Sequence, residues 1–250
     1  MERTNGGLSG NALKLIAIAA MTLDHVLWAL FPGYQTMPWL LALHAIGRIT
    51  APIMWFFIAE GYVHTHDFKK YALRLLLFAF ISHFAYCFAF GIPFLPFSKG
   101  AFFNQTSVIW SLFWGLIAIR LFDSDLRTWQ KFALFVPILL VSFPSDWSCI
   151  ATVAILYLWD KRDSFAKRMF WMMVWTLSYA IVFFFCIDHA YGALQLCTAL
   201  SIPLLRLYNG KRGSFRGMKW LFYVYYPAHL VLAGVLRVLL WGDIPLMIGG

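Results

Sequence analysis

Asp24 and His25 stand side by side in "MTLDHVLW", inside an apolar run that begins at Leu15 and continues to Phe31. An acid and an imidazole in such a run are suited to proton transfer. A histidine titrates near pH 6.5 when unperturbed and serves as a general base, and a carboxylate can orient or balance it. Neighbouring residues on a helix point about 100° apart, so the two side chains do not face each other. Asp24 therefore needs another partner, and Arg48 of the next apolar segment is the candidate. That leaves His25 on an adjoining face, toward a cavity. Lys14 lies three turns before His25 and shares its face, which marks a path along the helix.

Four residues on different apolar segments share one depth. At about 1.5 Å per residue, Asp24 lies roughly 16 Å into its segment, Arg48 roughly 15 Å, His83 roughly 18 Å and His229 roughly 15 Å, near the middle of a core about 30 Å thick. Each costs a few kcal/mol if it faces lipid, so they should face one another or a wet cavity. A single intramembrane histidine, such as His44 or His83, also has the plainer reading of a hydrogen-bonding residue between helices. Asp24, His25, Arg48 and His229 together, an acid, a base and two imidazoles at one level, describe a site better than a scaffold. Glu60 and His64, at i and i+4 near the end of "IGRITAPIMWFFIAEGYVHTH", share a face. Glu60 belongs either to the same polar path or to an interfacial ion pair with Arg74 or Lys70.

The elements that position these residues follow from composition. The chain has 250 residues, 62% hydrophobic and 12% charged, with mean hydropathy +0.72. Soluble domains carry roughly 25% charged residues. The fold class is therefore an all-α, polytopic transmembrane bundle, a single domain over residues 1–250 with no room for a soluble module. The first apolar segment has no small-residue cleavage site and reads as a retained helix rather than a leader. About nine spans are expected: 13–31, 38–63, 71–91, 106–122, 131–145, 147–159, 168–187, 190–208 and 219–240. The fifth and sixth are short, either a tilted pair around Pro144 or partly re-entrant. All but Arg48, Lys99 and Arg237 of the 20 Lys and Arg fall on one side of this alternation, which places the N-terminus in the cytoplasm and the C-terminus outside.

Pro52 cannot donate to the carbonyl of Arg48, so the second span should kink there, and Gly47 and Ala51 admit a neighbouring helix. Pro227 bends the last span just before His229. The loop "RLYNGKRGSFRGMK" is basic and rich in glycine, suited to phosphates or simply marking the cytoplasmic side. In the outer loops, Asn104 lies in "KGAFFNQTS" and Asp146 and Trp147 in "FPSDWS". Trp147 reads first as an interfacial anchor and Asp146 as a helix N-cap or loop acid. The net charge of +9 meets anionic lipid, not nucleic acid. Cys87, Cys149, Cys186 and Cys197 lack metal-ligand spacing and read as small packing residues, so no metal is expected.

Six stretches together carry a family resemblance: "LKLIAIAAMTLDH", "IGRITAPIMWFFIAEGYVHT", "YALRLLLFAFIS", "DWS", "LYNGKRG" and "FYVYYPAHL". They span residues 13 to 230, and in this order the sequence resembles the TraX family of integral-membrane acetyltransferases, which acetylate conjugative pilin. That family in turn resembles the acyltransferase-three superfamily, whose members use a first-helix histidine. The resemblance implies that this histidine is His25, with family-type positions at Asp24, Arg48, Glu60, Arg74, Asp146, Trp147 and His229. One departure is Ser148, where the family pattern has glycine after Asp-Trp, and it bears on the shape of the outer loop and on the acceptor.

The expected activity is transfer of an acetyl group from cytoplasmic acetyl-CoA, as co-substrate, to an amine or hydroxyl of a pilin-like peptide, sugar or lipid, in the bacterial inner membrane. His25, Asp24, Arg48, His229 and Glu60 would be catalytic. Lys14, Lys69, Lys70, Arg74, Lys211 and Arg212 would hold acyl-CoA. Asn104, Asp146 and Trp147 would lie on the acceptor side. Two other classes remain open. A proton-coupled transporter or flippase also uses midplane ionisable groups and broken helices, although no internal repeat relates the two halves. A non-enzymatic assembly factor for a pilus or secretion complex would keep its function without His25.

Overall fold

The computed structural model describes residues 7–95, 105–214 and 217–244. Asn104 lies outside the described residues, as do Arg3, Lys99 and Arg216. Among the described residues every regular element is helical: α1 (Gly10–Leu30), α2 (Pro38–Gly47), α3 (Thr50–His64), α4 (Phe68–Phe90), α5 (Val108–Phe122), α6 (Thr128–Ser142), α7 (Ser148–Asp160), α8 (Phe165–Cys186), α9 (His189–Leu194), a 3-10 stretch (Gln195–Leu200), α10 (Ser201–Arg206) and α11 (Met218–Trp241). The helix starts follow local chemistry. Ser9, Asp67, Ser164 and Asp188 each accept a backbone N–H of the first turn, and α4 ends on Gly91 in the left-handed region.

Among the described residues five helical stretches are long and apolar enough to cross a membrane: α1, α2 with α3, α4, α8 and residues 220–241 of α11. Three further apolar helices, α5, α6 and α7, have 15, 15 and 13 residues. At about 1.5 Å per residue these reach only about 20–22 Å. The turn joining α6 to α7 is correspondingly deep. Gln105 N–H donates to the Pro144 carbonyl at 2.8 Å, and Asp146 N–H to the Thr106 carbonyl at 2.8 Å. The turn and the lead into α5 thus satisfy each other's backbone inside the protein, as apolar surroundings require.

Two expected spans are not regular helices. The second breaks between Gly47 and Thr50, where Pro52 leaves the Arg48 carbonyl without its helical donor. The eighth, expected over 190–208, is a succession of α, 3-10 and α turns of six residues each. Both irregularities border the site. Gly47 packs against α1 so closely that an added Cβ would lie 2.6 Å from the Cβ and Oδ1 of Asp24.

Candidate functional site

α1 carries Asp24 and His25 about four turns from its start, and they engage different helices. Arg48 Nη2 donates to Asp24 Oδ2 at 2.6 Å, as the depth argument anticipates. His44 Nδ1 lies 2.8 Å from the other oxygen, Oδ1, and donates to it because a carboxylate only accepts. His44 is fully buried and sits one helical turn before Arg48, so both reach Asp24 from one face of α2. Arg48 Nη1 has a long contact, 3.4 Å, with Gln195 Oε1 at the start of the 3-10 stretch.

His25 turns the other way. Its Nδ1 is 2.7 Å from Nε2 of His229 on α11. The two rings are parallel to within 4°, with centroids 4.9 Å apart. Thr22, one turn before, donates to the Ile18 carbonyl and lies 2.6 Å from the Tyr225 hydroxyl, a second tie between α1 and α11.

These groups open onto a narrow chamber of about 90 Å³, lined also by Asp146, Trp147, Tyr179 and Tyr191. The position of the Asp146–Trp147 turn corrects the reading of Trp147 and leaves Asp146 as a loop acid. Trp147 is not an interfacial anchor. It is 5% exposed, stacked on Tyr179 and edge-on to Trp55. Asp146 does not cap α7, whose N-cap is Trp147 without a side-chain bond. Folding the turn inward requires successive left-handed residues, Trp147 at φ 65° and Ser148 at φ 54°.

A second, wider cavity of about 380 Å³ is lined by Lys14, Glu60, Arg74 and Arg212. The N-terminus of α1 is stitched to the 207–212 segment, with Gly10 N–H donating to Lys211 O and Asn11 N–H to Arg212 O, both at 2.9 Å. This brings Lys14 and Arg212 together. Glu60 pairs with Arg168 of α8 at 2.9 Å, and not with Arg74 or Lys70. Arg168 is 3% exposed and lies over the Phe56 ring. The acid of this cavity is thus matched, leaving Lys14, Arg74 and Arg212 as a cationic lining. Met54, Leu112 and Phe222 line both cavities and form the wall between them.

Of the residues singled out in the sequence, Asp24, His25, Arg48, Asp146 and Trp147 line one chamber, with His229 bonded to His25. Glu60 does not join them; it belongs to the second cavity. Lys69, Lys70 and Lys211 do not line that cavity, and Lys70 instead pairs with Asp67 at the surface. His83 is also apart, bonded to Thr106 Oγ1 at 3.1 Å and to the Phe94 carbonyl at 2.7 Å. His44, Gln195 and Arg168 escaped the sequence reading as site residues. The signal for His44 was its i−4 spacing from Arg48, and for Gln195 the cost of an amide within an apolar run. Among the described residues no group of His, Cys, Asp or Glu could hold a metal ion.

A family model described as "TraX protein" matches residues 9–237. The chain is 29% identical over 235 residues to the "Probable fimbrial assembly protein FimC, serogroup H1" of Dichelobacter nodosus, covering 91% of this chain and 95% of that protein. No solved structure gives a significant match. The family match runs from the start of α1 nearly to the end of α11 and takes in both cavities: the chain belongs to the TraX family.

Proposed function

We propose that this protein is a membrane-embedded acetyltransferase that moves an acetyl group from cytoplasmic acetyl-CoA to an amine or hydroxyl acceptor. The observation that carries the reading is the adjacency of two cavities. One exposes His25 among Asp24, Arg48 and Asp146; the other, across Met54, Leu112 and Phe222, presents three cations. In this reading Lys14, Arg74 and Arg212 hold the donor's phosphates on the cytoplasmic side of a nine-span bundle in the inner membrane, with the C-terminus outside. The pantetheine arm passes the apolar wall and delivers the thioester to the chamber. His25 removes the proton of the acceptor as its nitrogen or oxygen attacks the thioester carbon. The C–S bond breaks, and the leaving thiolate takes up the proton, so that acetylated acceptor and free CoA result. Arg48 Nη1, held only by its long contact to Gln195, is placed to bond the developing oxyanion, an effect typically worth about 3–4 kcal/mol.

The test is acetyl-CoA turnover by purified protein in nanodiscs, wild type against His25→Ala, with and without cell extract as a source of acceptors. Release of CoA that is stimulated by acceptor and abolished by the substitution supports the proposal. No turnover and no acetyl-CoA binding overturns it. The relative's printed name, a probable fimbrial assembly protein, is compatible with a second reading, a non-enzymatic assembly factor. In that case His25→Ala protein, folded and abundant, would still support fimbrial assembly.

A further inference from the structure

We propose that His229 is a positioning residue that fixes the tautomer of His25, so that the lone pair of His25 lies on Nε2, the ring nitrogen left open to the chamber. With both rings neutral, the hydrogen-bond chain leaves one self-consistent arrangement. His229 Nδ1 is 3.0 Å from the Tyr225 carbonyl, which can only accept, so the hydrogen of His229 resides on Nδ1. A neutral imidazole then has its lone pair on Nε2. That atom faces His25 Nδ1 at 2.7 Å, so His25 Nδ1 must be the donor and carries the hydrogen of that ring. The hydrogen bond of His25 among the described residues runs through Nδ1, which leaves Nε2 as the ring's other nitrogen, and His25 lines the chamber. Asp24 bonds neither ring, because its two oxygens are engaged by Arg48 and His44.

The rest of α11 serves the same end. The rings of His25 and His229 are parallel to within 4°, as fits a bond in the plane of both imidazoles, and Tyr225 lies parallel to His229 to within 10° at 5.3 Å. The Thr22–Tyr225 bond locks the turn of α11 that supplies the accepting carbonyl to the same face of α1. When His25 takes a proton at Nε2, the Nδ1–H remains donated to His229, and the new positive charge meets a lone pair. His229 thus acts through His25 and does not touch the reacting atoms.

The tautomer stands independently of the acetyltransferase reading; only its use in catalysis rests on that reading. The experiment separates the two. Protein with 15N-labelled histidine is reconstituted in nanodiscs and studied by NMR, with His25 assigned by difference from His25→Gln. The expected result is a pyridine-type Nε2 and a pyrrole-type Nδ1 on His25 in the wild type, with pyrrole-type Nε2 emerging in His229→Ala. A pyrrole-type Nε2 on wild-type His25 overturns the proposal even if the variant fails to fold. So does an unchanged His25 signal in folded His229→Ala. In turnover, His229→Ala should lower kcat at least tenfold with little change in KM for acetyl-CoA. His229→Gln, whose amide oxygen can accept from His25 Nδ1, should restore most of it. Equal loss in both variants counts against positioning. Absence of all turnover, with the tautomer as expected, overturns the acetyltransferase reading alone.

Discussion

Both oxygens of Asp24 are occupied, one by Arg48 and one by His44, with little solvent to share the charge. Removing one partner of a buried pair leaves the other charge uncompensated, at a cost of about 3–5 kcal/mol. Asp24→Asn should therefore lower the melting temperature in detergent by several degrees as well as abolish turnover. Combining Asp24→Asn with Arg48→Gln should recover much of the stability and none of the activity. A double mutant as unstable as the single would show that Asp24 acts through packing against Gly47 and not through charge. The Asp24–Arg48 pair was legible in the sequence because depth along two helices can be counted. The His25–His229 bond was less so, since counting gives a level in the membrane but not the rotation of α11 about its axis.

At the scale of elements, the inward turn between α6 and α7 is the part least visible in the sequence. "FPSDWS" between two apolar runs has the same composition whether it marks the membrane edge or folds into the bundle. The short helices were the clue, and the left-handed pair Trp147–Ser148 is how the backbone manages it. A left-handed conformation costs a residue with a Cβ roughly 1–2 kcal/mol, and glycine avoids this. Ser148→Gly should accordingly raise the melting temperature slightly and leave turnover intact; a fall in stability would mean that burial of the Ser148 side chain outweighs the strain. Gly47→Ala tests the opposite contact. Its new methyl would collide with Asp24, so the pair with Arg48 must open and turnover should drop by tenfold or more. By contrast, the break after Gly47 was readable from Pro52 alone.

For the whole molecule, the spacing of charge between the two cavities makes a prediction that separates site from surface. Replacing Lys14, Arg74 and Arg212 with Gln should weaken acetyl-CoA binding by well over tenfold and flatten its salt dependence, measured by calorimetry in nanodiscs. Replacing Lys69 and Lys70 should change little, because neither lines the cavity. All five look alike in the sequence, where a basic residue near a helix end signals the cytoplasmic side; only the fold separates them. The wall of Met54, Leu112 and Phe222 also matters when no substrate is present. In the orientation proposed above, a polar chamber at mid-depth that opened freely to the cytoplasm would invite a water wire through half the bilayer, a leak that an energised membrane cannot tolerate. Three apolar side chains at a constriction keep water out by dewetting. Phe222→Ala should therefore raise the passive proton conductance of vesicles carrying the protein, read with a pH-sensitive dye under an imposed potential. In the proposed reaction, the wall that a thioester would cross is thus also a seal against proton leak.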